Sequence, residues 1–357
     1  MSTRSIIDAF DRWQKNRQPL VMATVYVTEG STYSKAGHRI LIAANGDYQG
    51  LVSGGCLEGD LAEHATSVIE NGTSRTVTYD LRDDADDLWG MGVGCNGVIK
   101  ILLQRLDIET GYEPFQSIAN CHLHSEPAIC AMIIECANSD IPLGASLIDW
   151  GNDYRSWGIP GAHRTAIRQH CASMLGTGKA RLVQHEIQDS SLTLLYAPIK
   201  PLPRLLILGA GPDAAPLIRM AEEIGWLVTV VDHRPAYLEA DIFGSAQRIA
   251  SEPERLKKVT DLTKISAAVV MSHHLGTDRI YLDQLAQSPI AFLGLLGPRE
   301  RRDRLISELG DAGKVLEKKL VGPVGIDIGA DSPESIALSI LAQIHQALSE
   351  LENLSDD

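Results

Sequence analysis

Residues 204–232 read RLLILGAGPDAAPLIRMAEEIGWLVTVVD: an apolar run, a glycine turn, a helical stretch, and a second apolar run ending on an acid. That order leaves few folds open. Two buried strands joined through a helix lie parallel, because a crossover of this length brings the chain back to the same edge of the sheet. Further apolar runs, AAVVMS (267–272) and IAFLGLLG (290–297), alternate with helical stretches until a last helix from Pro333. The pattern predicts a Rossmann-like, doubly wound parallel sheet over residues 204–357.

The first turn of that sheet carries Gly209, Gly211 and Ala214 in a G-x-G-x-x-A spacing, and Asp232 closes the next strand. Glycines there let a phosphate approach a helix N-terminus, and an acid at that offset suits a ribose hydroxyl. Pro212 and Pro216 crowd the start of the helix, and Pro216 removes a backbone donor. His233 and Arg234 follow the acid directly. A fold of this kind that binds no nicotinamide therefore stays as open as one that does. Arg299, the arginine of the 299–304 cluster nearest a glycine turn, is the candidate phosphate contact. His273, His274 and Asp278 resemble metal ligands in composition only. Adjacent histidines on an extended segment point apart and no third ligand is evident, so hydrogen bonding is the better reading and no metal site is expected.

The stretch YAPIKPLPR (196–204) holds three prolines and reads as a linker. Ahead of it the pattern is mixed α+β with hairpins. A helix is expected over 4–16, a strand over 20–28, and a hairpin over 38–53 about Asn45-Gly46. A helix over 57–72 carries Leu57, Leu61, Ala65 and Val68 as its apolar stripe. Residues 128–158 repeat the order of 21–50, with Gly144 in the place of Gly37, which is either a weak duplication or two hairpins of one sheet. The expected division is thus 1–105, a middle segment 106–196, a linker 197–203, and 204–357.

Charge and cysteine usage narrow the function. The chain of 357 residues has a formal net charge of −14, which opposes binding to nucleic acid or an anionic membrane. Six cysteines without a C-x-x-C pair are neither a disulfide framework nor a zinc knuckle, and a cytoplasmic setting with reduced thiols is the simplest expectation. Two of these cysteines stand among glycines, in LVSGGCLEGD (51–60) and MGVGCNG (91–97). Cys56 falls beside a helix start, where free N–H groups favour a thiolate or an anion. Glu58 is expected to cap that helix, and its charge opposes ionisation of the thiol. Burial as a small apolar residue is the usual reading of one cysteine. Two such loops, with the polar turn TEGSTYSKAG (28–37) nearby, suit a large flat phosphorylated ligand whose soft atom meets a thiol. The three loops are expected to converge on one cleft.

The segments EGSTYSKAGHRILI, GLVSGGCLEGDL, GVGCNG, LLILGAGPDAAPL, VVDHRPAYL, GLLGPRERR and GPVGIDIGADSPESIALSILAQI together resemble the XdhC/CoxI family, accessory proteins of xanthine dehydrogenase and related molybdenum hydroxylases. They span roughly residues 10–105 and 200–345. The resemblance implies a protein that is not an enzyme in the ordinary sense. It binds molybdenum cofactor as cargo, presents it to a cysteine desulfurase for sulfuration, and inserts it into an apo-hydroxylase. Gly30, Ser31, Gly37, Arg39, Ser53, Gly54, Gly55, Cys56, Glu58, Gly94, Cys95 and Gly97 match the family's motif positions. Ser34 stands where the family usually has arginine, Ile40 where it has methionine, and Asn96 where it has glycine. Lys35 or Arg39 is then the substitute basic group. A nicotinamide-dependent oxidoreductase built on the C-terminal domain is the alternative. A nucleotide at that domain and a homo-oligomer remain open.

Overall fold

The structure, a computed structural model, describes residues 2–82, 97–124, 126–187, 190–239 and 242–354. The chain divides into two compact units, with the boundary between Pro201 and Leu202.

The first unit opens with α1 (Thr3–Lys15), whose N-terminus is capped by the Ser2 hydroxyl accepting from the Ser5 N–H. The strands β1 (Leu20–Gly30), β2 (Arg39–Ala43) and β3 (Tyr48–Gln49) form a meander. Then come the helix α2 (Glu58–Asn71) and the strands β4 (Arg75–Asp80) and β5 (Gly97–Leu106). The sheet order is β3-β2-β1-β5-β4, with every pairing antiparallel. After α3 (Phe115–His124), the same plan recurs. Strands β6 (Ala128–Cys136), β7 (Ser146–Asp149) and β8 (Tyr154–Trp157) precede α4 (Gly161–Met174), β9 (Arg181–Ile187) and β10 (Ser190–Ile199). This second sheet is ordered β8-β7-β6-β10-β9 and is also antiparallel. The repeat is therefore two sheets of one topology, not two hairpins of one sheet.

The correspondence holds in detail. Gly37 donates to the Val25 carbonyl at 2.8 Å, and Gly144 donates to the Ile133 carbonyl at 2.9 Å. Both glycines have positive φ, +90° and +83°, a region that disfavours a Cβ. Pairing slips past Tyr26 in the first sheet and past Ile134 in the second, one residue beyond each of those acceptors. Helix α2 lays Leu61, Ala65 and Val68 over Ala23, Ile40 and Ile101, while α4 lays Ile167, Cys171 and Met174 over Ala131, Ile133 and Leu194. The opposite faces of the two sheets meet. A Cβ at Gly37 would lie 3.3 Å from Ala197, and Gln104 donates to the Gly144 carbonyl. Phe10 and Phe115 meet edge to face at 4.9 Å, bringing α1 against α3. Strand β10 continues to Ile199, so the first three residues of the stretch 197–203 expected as a linker are strand, and the boundary between the units falls in the rest.

The second unit is a six-stranded, wholly parallel sheet. Its strands are β11 (Arg204–Leu208), β12 (Leu227–Asp232), β13 (Gln247–Ala250), β14 (Ala267–Val270), β15 (Phe292–Leu295) and β16 (Leu320–Val321), ordered β13-β12-β11-β14-β15-β16. Between them come α5 (Ala214–Glu223), α6 (Pro235–Leu238), α7 (Leu256–Val259), α8 (Leu275–Leu285), α9 (Arg299–Glu308) and α10 (Gly310–Lys319). The long α11 (Pro333–Leu354) follows. Alternate residues of β11 feed two cores: Leu205 and Ile207 pack with α5 and α11, Leu206 and Leu208 with α8 and α9. Burial on both faces explains its unbroken apolar run. The predicted doubly wound sheet is present. Its order reverses between β11 and β14, where ligands of such sheets bind.

Gly209, directly after β11, has φ +121°, and a Cβ there would lie 2.6 Å from the Met271 carbonyl oxygen. The two turns at the reversal thus touch backbone to backbone. Gly209→Ala is expected to destabilise the C-terminal unit by about 2 kcal/mol or more through strain and overpacking. Thermal melting of the variant checks this; an unchanged transition would contradict it.

Candidate functional site

The segment between β3 and α2 is built around one carboxylate. Glu58 is fully buried at the first turn of α2. Its Oε1 accepts from the N–H groups of Val52 at 2.7 Å and Ser53 at 3.0 Å. Its Oε2 accepts from the Ser53 hydroxyl at 2.8 Å and the Gly55 N–H at 3.0 Å. Burial alone would raise its pKa, but the donors from Ser53 and Val52 outweigh that and hold it below the usual carboxylate range. Glu58 therefore does more than cap a helix. It folds the loop back on itself, and it faces the interior rather than a ligand. The Ser53 hydroxyl extends the arrangement by accepting from the N–H groups of Cys56 and Leu57.

Gly54 and Gly55 then bulge outward with φ +80° and +116°, and a Cβ at Gly55 would meet nothing within 4 Å. Cys56 follows, two residues before α2 begins, and is exposed. It does not fill a core. Among the described cysteines it alone is exposed; Cys121, Cys130 and Cys171 are buried.

The polar turn after β1 is fastened to this loop. Ser34 is fully buried, and its hydroxyl donates to the carbonyls of Val52 and Leu51. The position where the family usually has arginine is thus a clip between two loops. Thr32 donates to the Ser34 carbonyl at 2.9 Å. Tyr33, between them, is 58% exposed, and a Cβ on Gly54 would lie 3.8 Å from its ring. Gly97 pairs with Gly30 across β5 and β1, and a Cβ there would collide with the Glu29 carbonyl and lie 3.1 Å from that of Ser31.

Gly30, Ser31, Ser53, Gly54, Gly55, Cys56 and Gly97 therefore belong to one set of adjoining loops and strand ends. Gly94 and Cys95 lie outside the described residues. Two expected members are elsewhere. Gly37 lies against Ala180 and Ala197 of the second half. Arg39 stands opposite Thr24 in the sheet and reaches the Cys130 thiol, with its Nε and Nη2 buried and unpartnered. Strand alternation decides this: Ile40 faces α2, so Arg39 faces the other sheet. Lys35 is exposed in the turn. Tyr33 is a site feature that the sequence pattern did not single out, although a lone aromatic among small polar residues was its signal, and Ser34 was marked there only as a departure from the family's arginine.

In the second unit, Asp232 is buried and already occupied. It accepts from the Ala210 N–H at 2.7 Å and from the Arg234 N–H and guanidinium at 2.8–2.9 Å. Burial opposes its charge, but Arg234 and these N–H groups keep its pKa low. Its role here is to hold the glycine turn rather than to offer a free acceptor. Above Gly211, the His273 ring lies 2.8 Å from the Asp213 carboxylate. Arg299 is 79% exposed with its guanidinium 4.0 Å from Asp303, so it faces solvent. Arg301 is the arginine that turns inward, onto buried Asp278. Asp278 also accepts from the Ser272 hydroxyl, and His274 accepts from the Thr277 N–H to cap α8. Among the described residues, no three or more His, Cys, Asp or Glu groups are arranged to hold a metal ion.

Comparison with known proteins agrees with both halves of this description. Residues 13–80 match the XdhC and CoxI family and residues 205–344 match the XdhC Rossmann domain. A probable xanthine dehydrogenase subunit of Bacillus subtilis is 33% identical over 337 residues, covering 94% of this chain and 95% of its own. This chain belongs to the XdhC/CoxI family. The molybdenum cofactor insertion chaperone PaoD of Escherichia coli is 21% identical, over 91% of this chain and 82% of its own. A crystal structure described as a xanthine dehydrogenase from Bacillus halodurans superposes with a TM-score of 0.77 at 30% identity, over 98% of this chain and 96% of that one.

The Glu58 arrangement yields a test. Glu58→Gln places an amide N–H₂ against two of these four donors, and is expected to cost about 2–4 kcal/mol. Because the folded pKa lies below the unfolded one, the carboxylate's contribution is complete above the unfolded value and fades as pH falls through the folded value. The stability gap between wild type and Glu58→Gln is therefore expected to be full at neutral pH and to shrink below about pH 4. Denaturant titrations across pH check this; a gap independent of pH would contradict it.

Proposed function

We propose that this protein is a maturation factor that binds molybdenum cofactor as cargo, supports its sulfuration with a cysteine desulfurase, and inserts it into xanthine dehydrogenase or a related molybdenum hydroxylase. The observation that carries the reading is the exposed Cys56 thiol beside bare glycine backbone on a loop fixed from below by Glu58. A soft thiol suits a molybdenum or sulfur atom, and glycines without side chains admit close approach of a bulky ligand. Membership of the family and the similarity to an insertion chaperone favour cargo handling over turnover. The engagement of Asp232 by Arg234 weighs against a nicotinamide ribose at the C-terminal turn. No described helix is long and apolar enough to cross a membrane.

Cys56 contacts the cargo in this reading, and Ser53 and Glu58 position the loop. Gly30, Ser31 and Gly97 form the adjoining backbone. Reconstitution of an apo-hydroxylase with loaded variants tests it. Cys56→Ala is expected to melt like wild type, because the side chain is exposed, and to bring client activity close to background. Cys171→Ala, fully inside the core, is expected to lose about 1 kcal/mol of stability and to deliver normally. Full client activity with Cys56→Ala would contradict the proposal.

A further inference from the structure

Among the described residues, Tyr33 is the most exposed of the large apolar and aromatic side chains, at 58%, and its ring has no stacking, cation or hydrogen-bond partner. The other strongly exposed aromatic among the described residues, Tyr237 at 43%, lies under the Arg234 guanidinium. The residues flanking Tyr33 are fixed. Its neighbour Ser34 is fully buried and bonded to Val52 and Leu51, and Thr32 closes onto Ser34. A tyrosine so anchored has two side-chain torsions left to fix, so a ligand that orders it loses little entropy.

The surroundings of the ring are equally particular. A Cβ on Gly54 would lie 3.8 Å from Cδ2 and 4.0 Å from Cε2, so the ring edge lies alongside a position that carries no side chain. Gly55 opens onto free space, and the exposed thiol of Cys56 is next in the chain. An aromatic face, a wall without side chains and a thiol thus follow one another. An aromatic ring offers a flat, sequence-tolerant stacking surface worth about tenfold or more in affinity to a planar heterocycle.

We infer that Tyr33 is the stacking platform for a planar nitrogen heterocycle, the pterin of the cargo, and so a specificity determinant of this site. The inference rests on the proposed cargo for the name of the heterocycle. The platform itself rests on the exposure and anchoring of Tyr33. The ring is what matters, because the hydroxyl has no partner. A phenylalanine keeps the platform, and a leucine keeps apolar area without a flat π face.

Two probes on the full-length protein separate this inference from the function proposed above: molybdenum cofactor released from a purified hydroxylase, and the fluorescent metal-free 6-hydroxymethylpterin. Wild type and Tyr33→Phe are expected to bind both alike. Tyr33→Ala and Tyr33→Leu are expected to bind both about tenfold more weakly, with melting curves unchanged. Wild-type affinity in Tyr33→Ala for both probes would overturn the platform while leaving the cargo proposal in place, and so would normal affinity with failed delivery, which would make Tyr33 a contact for a protein partner. Tyr33-dependent binding of the metal-free pterin, with no binding of the complete cofactor, would support the platform and overturn the cargo proposal. Failure of wild type to bind either probe would overturn both.

Discussion

One buried carboxylate organises the candidate site. Glu58 collects three backbone N–H groups and a hydroxyl from the six residues before it. Removed from water without those donors, a carboxylate would be far too costly to keep ionised. With them it is stabilised, and the loop is forced into one course. Everything of chemical interest there follows. Ser53 is pulled down to receive the Cys56 and Leu57 N–H groups. Gly54 and Gly55 are left to turn outward, and the thiol emerges at the surface. The Ser34 clip then fixes the neighbouring loop to the same frame.

The two halves of the first unit show what is particular to this loop. Gln49 and Arg155 oppose Leu41 and Ile148, each four residues beyond its matched glycine. From Gln49 the chain takes nine residues to reach α2, whereas from Arg155 it takes six to reach α4. The shorter connection runs directly from Trp157 through Ile159 and Pro160 into the helix. It has no buried carboxylate at its helix start and no exposed thiol. The same sheet and helix thus serve in both halves, but the first alone has chain to spare for a projecting loop. One fold thus carries a projecting loop in one half and none in the other, within one polypeptide.

Much of this was legible in the sequence. Unbroken apolar runs punctuated by glycine identify the parallel sheet, because strands buried on both faces leave no polar alternation. The Asn45-Gly46 turn and the matched Gly37 and Gly144 mark the two meanders. What local pattern does not encode is which way an isolated side chain points and what has already bonded to it. Arg39 has the charge for a ligand contact and faces the second sheet. Asp232 has the offset of a ribose acceptor and is held by Arg234, its own neighbour but one. Arg299 lies nearest the glycine turn in the sequence, yet the helical turn sends Arg301 inward to Asp278. Glu58 has the position of an exposed cap, and its burial depends on Val52, six residues away, folding back over it. Prolines 198 and 201 suggest a linker, yet β10 runs through the first of them.

The central claim is that the glycine-cysteine loop carries the cargo. Quantifying pterin and molybdenum bound to the protein purified from a molybdenum-replete host, side by side with Cys56→Ala, tests it most directly. Equimolar pterin and molybdenum in the wild type, and their loss from the folded variant, is the result this account predicts. Equal loading of the two proteins, or no pterin in either, would contradict it.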